Sequence, residues 1–268
     1  EAASLAGHLK LGNLVYLYDN NNITIDGSTD LTFSEDVGAR FKAYGWHVLH
    51  VDGLDLDDVT AAVEKARKTD DRPSLIICDT VIGAGSPNKA GTSKVHGAPL
   101  GEDELKAFES AIGWSEDGFA VPDEVTQFFE SKKSEWAEAY EDWNRQYKEY
   151  AEEESEKHRE LERMRSGEIC EGLDSVLPEF KAGEEVATRS SGGEIENAIA
   201  SCMPELIGGA ADLAASTKTD IKDTTDIGPG NFEGRNLRFG IREHVMGSII
   251  NGISLYGCFI PFGSTFLV

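Results

Sequence analysis

Three short apolar runs limit what this chain can fold into more than anything else. They are Leu14 to Tyr18, Trp46 to Val51 and Leu75 to Cys78, and each closes in polar residues. Strands buried on both faces read as continuous apolar runs rather than as alternating ones. The segments between them have helical signals. Glu1 to Lys10 is rich in Ala and Leu and is closed by Gly12. Ser34 can cap a helix through Arg40 to Tyr44, with Glu35 and Asp36 in its first turn and Gly45 as its stop. Asp55 opens another helix, to Lys68. Strands alternating with helices predict an α/β class, a doubly wound parallel sheet covered on both sides.

The next stretch, Val81 to Leu100, is too long and glycine-rich for an ordinary connector and reads as a binding loop. Helix signals resume at Glu102, and Pro122 starts a long charged helical region to Ser166. Within it Trp136, Tyr140, Trp143, Tyr147 and Tyr150 share one helix face. That face suits docking onto the protein itself, with a partner-binding stripe as the second reading. Beyond Gly167 a second α/β unit begins. Val186 to Arg189 leads into a helix from Gly193 to Cys202, and Leu206 to Gly209 is a short strand that ends at Ala210-Ala211-Asp212-Leu213. Then Asn236 to Phe239 reads as a strand, Gly240 as a turn, and Val245 to Tyr256 as a helix with Glu243 at its first turn. The expected division is 1–121, 122–184 as a helical arm or linker, and 185–268: two partial α/β domains joined by the arm.

The formal net charge of −24 argues against nucleic acid and against an anionic membrane surface as partners. No run of about eighteen apolar residues is present, so no membrane span is expected. The four cysteines, Cys78, Cys170, Cys202 and Cys258, lie far apart, which indicates neither a zinc site nor a disulfide framework. Cys78 and Cys258 fall in strand-like runs and read as small buried hydrophobes. The chain has no signal peptide, starts without Met and stops in an apolar run, Thr265 to Val268; it reads as a fragment cut at both ends.

Two places have the residues for chemistry. Asn21 follows a buried strand, and its amide oxygen and the Ile23 carbonyl can point the same way. Both are hard neutral oxygens, suited to Mg²⁺ or Ca²⁺ if an anionic ligand and phosphates complete the shell. Asn-rich turns have the same look without a metal. Glu243 lies at a helix start beyond the carboxyl end of a strand, where α/β proteins place ligands and where the helix dipole favours an acid. It reads either as a site carboxylate or as a plain first-turn acid.

Several long motifs in order resemble the transketolase family, which uses thiamine diphosphate. They are Glu1 to His8, Tyr18 to Gly27, Arg40 to Val48, Val95 to Leu100, Ala187-Thr188-Arg189, Pro204-Glu205-Leu206, Ala211-Asp212-Leu213 and Gly240 to His244. The resemblance covers nearly the whole chain and is weakest in the helical arm and in Ile221 to Gly234. It implies a diphosphate-binding half, the arm and a pyrimidine-binding half. It also implies reversible transfer of a two-carbon ketol unit between sugar phosphates, as in the pentose phosphate pathway or the Calvin cycle, in the cytoplasm or a plastid.

By that resemblance Asn21 and the Ile23 carbonyl would hold the metal, with the third ligand in an upstream Gly-Asp-Gly motif that this sequence does not contain. His96 would contact the diphosphate and the sugar, and Ile25 and Ile82 would flank the thiazolium. Asp212 would lie near the cofactor, and Phe266 in the aminopyrimidine pocket. Arg189 and Ser216 would hold the substrate phosphate, the guanidinium fork matching its oxygens. Glu243 would be the catalytic acid, hydrogen-bonded to pyrimidine N1′ and best served by burial that raises its pKa. In the family the two halves of a site come from different subunits, which implies an obligate homodimer with active sites at the subunit interface. Glu1 aligns with a glutamate that links the two sites. Two departures stand out: Ala210-Ala211 where Ser-Ala is frequent, and Ala214-Ala215 where Thr-Pro is common. The rival readings are a dihydroxyacetone synthase, which takes formaldehyde as acceptor, and a non-catalytic acidic scaffold.

Overall fold

A computed structural model describes residues 1–114 and 118–266. The chain forms two compact units, Ala3–Lys132 and, with Glu1–Ala2, Lys133–Val268. The end of the apolar run at 267–268 lies outside the described residues.

The first unit has α1 (Ala2–His8), β1 (Val15–Asn20), the short pair β2 (Ile23–Thr24) and β3 (Gly27–Ser28), α2 (Val37–Ala43), β4 (His47–Asp52), α3 (Leu56–Arg67), β5 (Ser74–Asp79) and α4 (Glu102–Ile112). β5 runs between β1 and β4, parallel to both. Its side chains alternate between two cores. Leu75 and Ile77 pack with Ala6 of α1, Trp46 and Phe41 of α2. Ile76 and Cys78 pack with Val51 and with Ala62 and Ala66 of α3. Helices therefore cover both faces of a parallel sheet, as the apolar runs predicted. Trp46 Nε1 also donates to the Ala3 carbonyl at 2.8 Å, tying α1 to the sheet.

Two local expectations change. α2 starts at Val37 and is capped by Asp36, whose Oδ1 accepts from the Ala39 amide at 2.8 Å; Ser34 is too early to reach that turn. Along β1 Tyr16 and Leu17 are 51% and 56% exposed, and among the described residues β1 pairs only with β5.

α5 (Asp123–Glu153) and α6 (Ser155–Ser166) are separate helices, broken at Glu154. The aromatic face divides accordingly. Tyr147 and Tyr150 pack on His158 of α6, at ring separations of 5.1 and 6.0 Å, and Tyr147 Oη donates to Glu162 at 2.5 Å. Trp136, Tyr140 and Trp143 remain more than half exposed, whereas the C-terminal end of the face docks on α6.

The second unit continues with α7 (Leu173–Val176), α8 (Thr188–Cys202), β6 (Leu206–Ala210), α9 (Ala214–Thr217), β7 (Asp226–Ile227), β8 (Asn236–Leu237), α10 (Glu243–Tyr256) and β9 (Ile260–Ser264). The sheet order is β7-β8-β6-β9, all parallel. α8 starts at Thr188 rather than at Gly193. Gly193 lies inside the helix as a close contact: a Cβ there would come within 2.4 Å of the Lys218 carbonyl, so only glycine lets α8 lie this close. Cys170 and Cys202 form a disulfide, against the expectation from their spacing. They are far apart in sequence, so only the fold reveals the pair. Cys258 is half-buried, outside any strand, whereas Cys78 is buried in β5 as expected. Among the described residues no helix is long and apolar enough to cross a membrane.

Candidate active site

The carboxyl ends of β1, β4 and β5 form a polar edge in the first unit. Asn20 Nδ2 donates to Asp79 Oδ1 at 2.7 Å, and His50 Nε2 lies 2.6 Å from Asp79 Oδ2. The Asn20 hydrogen bond, with His50 adding to it, holds the Asp79 carboxyl below the usual range. Thr80 Oγ1 donates to Asp19, and Asp19 Oδ2 accepts from Asn21 Nδ2 at 3.1 Å. Asn21 Oδ1 in turn accepts from the Ile23 amide at 3.0 Å. This Asx turn, with Asn22 at φ +59°, fixes the Asn21 side chain against the start of β2.

Asn21 and Ile23 are thus brought together by one hydrogen bond. The amide oxygen keeps a second lone pair for a cation. No group of three or more His, Cys, Asp or Glu able to hold a metal occurs among the described residues. The donor set therefore fits a cation that arrives with an anionic ligand, such as a diphosphate. A cleft of about 570 Å³ opens nearby, lined by Tyr18, Asn20, Asp30, Lys42 and His50; Asn21, Ile23 and Ile25 are not among its walls.

Ile25, 71% exposed, sits on the β2–β3 turn. Ile82 and His96 lie toward opposite ends of the long loop. Ile82 is half-buried, and its carbonyl accepts from the Gly91 amide at 2.8 Å. His96 is exposed, just after a single 3-10 turn. The loop is held by a residue that sequence reasoning missed. Glu104, buried on α4, accepts from Ser86 Oγ, from the Asn88 amide at 2.9 Å and from Asn88 Nδ2 at 3.0 Å. These bonds, Ser86 first, keep its carboxyl below the usual range. Lys89 Nζ closes the loop on the Leu100 carbonyl at 2.6 Å.

In the second unit the turn after β8 presents Glu243. Phe239 is fully buried and anchors the turn; Gly240, at φ +65°, supplies a left-handed residue. Arg242 Nη1 donates back to the Phe239 carbonyl at 2.9 Å. Glu243 is the first residue of α10 and is exposed. The burial expected around its carboxyl does not occur within this chain, although Met246, one turn on, is buried. Asp212, exposed at φ +58°, follows the end of β6, where the Ala211 amide donates to the Ser264 carbonyl at 3.2 Å. Phe266, just beyond β9, is 42% exposed.

Arg189 and Ser216 are exposed on α8 and α9, two helices that pack on each other. The cleft between these helices, about 400 Å³, is lined by their neighbours Ser190 and Ala215 and by Lys218 and Lys222. Glu194 and Asp220 line it as well and balance the two lysines, a mixed-charge arrangement that no motif signalled. Also unsignalled is the bidentate pair of Arg163 with Glu205, at 2.7 and 2.8 Å. Burial, the largest single influence, pushes the Glu205 carboxyl up, but the Arg163 hydrogen bonds, a backbone hydrogen bond and the charges of Arg163 and Arg235 together leave the group below the usual range.

Comparison with known proteins adds independent findings. The family model "Transketolase, thiamine diphosphate binding domain" matches residues 1–170, and "Transketolase, pyrimidine binding domain" matches 184–268. The chain is 49% identical over 270 residues to transketolase of Halalkalibacterium halodurans, covering all of this chain and 40% of that protein. It is 44% identical over 278 residues to transketolase 1 of Saccharomyces cerevisiae, covering 41% of it. Among solved structures it is similar to a Pichia stipitis transketolase in complex with sedoheptulose 7-phosphate, with a TM-score of 0.92, 41% identity and coverage of 99% of this chain and 40% of that one. A Leishmania mexicana transketolase gives a TM-score of 0.93 at 34% identity, with the same coverage. The chain thus spans about 40% of the length of the relatives it matches.

Proposed function

The chain belongs to the transketolase family, and from that premise we propose that the protein carrying it transfers a two-carbon ketol unit from a ketose phosphate to an aldose phosphate. The observation that carries this reading is the match of both cofactor-binding family models, in order, over nearly the whole chain. In the proposed division 1–121 belongs to the diphosphate half, 122–184 to the arm and 185–268 to the pyrimidine half.

Thiamine diphosphate, when bound, supplies a nucleophilic carbon and an electron sink for the cleaved bond. The rest falls to residues of this chain. Asn21 Oδ1 and the Ile23 carbonyl would hold Mg²⁺ or Ca²⁺, and the Asx turn orients the Asn21 amide oxygen beside residue 23. Ile25 and Ile82 exclude water from the thiazolium, and Asp212 and Phe266 border the cofactor. His96, on a loop anchored by Glu104, contacts the diphosphate and the sugar hydroxyls. Arg189 and Ser216, on packed helices, take the substrate phosphate. Glu243 keeps a proton on its carboxyl against the pyrimidine ring.

That last role needs a dry environment. Glu243 is exposed here, as are Ile241, Leu255 and Tyr256 around α10. A second subunit laid on this face would desolvate the carboxyl, which supports a homodimer with sites at the subunit interface.

The test is an acceptor panel with the full-length protein, xylulose 5-phosphate as donor, and cofactor and Mg²⁺ supplied or withheld. Transfer to aldose phosphates that needs the cofactor supports the reading. Preference for formaldehyde would place the protein with dihydroxyacetone synthase. Absence of any cofactor-dependent transfer would sink the proposal in favour of the scaffold.

A further inference from the structure

The Cys170–Cys202 bridge involves none of the residues assigned a role above. Cys202 ends α8, and Cys170 lies in the stretch between α6 and α7. Contacts independent of the bond hold both segments. Upstream, Arg163 of α6 donates to the Glu168 carbonyl at 2.9 Å and grips Glu205, three residues beyond Cys202, with the same guanidinium. Downstream, α7 packs on α8. The two Cα atoms are 6.0 Å apart, within the range that disulfides span. The fold itself therefore keeps the two sulfurs within reach when the bond is open. Both cysteines are only half-buried, so a small thiol reagent has access to them.

We propose that Cys170 and Cys202 form a reversible redox staple that fastens the 167–176 segment to the end of α8. The oxidant is a low-molecular-weight disulfide. One cysteine thiolate attacks it, expels one small thiolate and forms a mixed disulfide. The second cysteine attacks the protein sulfur of that mixed disulfide and expels the other small thiolate. Two protein thiols are oxidised, one small disulfide is reduced to two thiols, and the two protons pass to those thiols. Closing the bond restrains a loop with a sequence separation of 32. Local opening of the segment is therefore suppressed by about tenfold or more.

The experiment uses the full-length protein in buffers of graded oxidised-to-reduced glutathione ratio, trapped by alkylation and mapped by mass. Cys170 and Cys202 should become protected together over one range of ratios and be released again by reduced glutathione in the folded state. Cys258, half-buried and free, serves as the internal control: it is either alkylated or carries one glutathione, which its mass distinguishes from an internal bond. Tryptic cleavage at the exposed Lys181 should slow about tenfold in the oxidised form and not in Cys170→Ser, whose change lies outside any helix or strand. Cys202→Ser should leave Cys170 alkylatable throughout. Independent alkylation of the two cysteines at the most oxidising ratio would overturn the proposal. So would a bond that opens only on unfolding, or cleavage that is indifferent to redox state while Cys170→Ser retains the parent's circular dichroism.

Discussion

Glu196 on α8 is an unusual acid for a helix that helps build a core. It lies one turn before Ile199 and Ala200, which pack with Leu206, Ile221 and Phe262. Its Oε1 is buried and has no hydrogen-bond partner among the described residues. Burial, with the nearby Asp220 carboxylate adding to it, raises its pKa from 4.5 to about 7. The folded state therefore holds this proton more tightly than the unfolded chain does. Stability is full below pH 4.5, falls as the pH climbs, and has lost the whole contribution above about pH 7. A shift of that size corresponds to roughly 3.4 kcal/mol if taken at full weight. The side chain is only half-buried, so solvent screening reduces this to about 1–2 kcal/mol. Glu196→Gln removes the charge and keeps the shape. Urea unfolding of parent and variant at pH 5 and pH 8.5 is the assay, followed by a probe in the second unit. The variant should be more stable by about 1–2 kcal/mol at pH 8.5 and nearly equal to the parent at pH 5. A difference that is the same at both pH values, or a variant less stable at pH 8.5, would refute the reasoning.

Two further substitutions probe the buried polar groups. Arg163→Ala leaves the Glu205 carboxylate, whose side chain is 3% exposed, without its partner. This should cost about 3 kcal/mol in denaturant unfolding at pH 7. The difference should shrink as the pH falls below the usual carboxylate range, because the depressed Glu205 pKa contributes stability only above it. Glu104→Ala removes the acceptor for Ser86 and Asn88, so protease cleavage within 81–100 should quicken while α3 and its core keep their hydrogen-exchange protection.

The sheets were legible because their signal is coarse. Leu75 to Cys78 is apolar throughout because each face of β5 meets a different core, and the residues next to the strand ends are polar because they meet no helix. Pairs distant in sequence were not legible. Nothing local marks Glu104 as the acid that gathers a loop, since it is one of three acids in the first turn of α4 and looks like the others. The same holds for Arg163 with Glu205 and for Cys170 with Cys202. Gly193 marked the expected start of α8 but lies inside it, because a glycine that admits a neighbouring carbonyl has no local signature of its own. The aromatic face of α5 was only half understood: its periodicity fixed the face, while what covers Trp136, Tyr140 and Trp143 depends on tertiary contacts. At the candidate site, the Asx turn from Asn21 to Ile23 and the strand–turn–helix at Glu243 are local and were readable. Burial of Glu243 was not, because it depends on what is laid against α10.

The central claim is that Glu243 holds a functional proton at the cofactor. Its most direct test is ketol transfer from xylulose 5-phosphate to ribose 5-phosphate by full-length Glu243→Ala, with cofactor binding measured in the same preparation. A loss of at least about two orders of magnitude in kcat, with the dimer intact and the cofactor still bound, is the predicted result. Turnover within about threefold of the parent would contradict the claim and return Glu243 to the role of an ordinary first-turn acid.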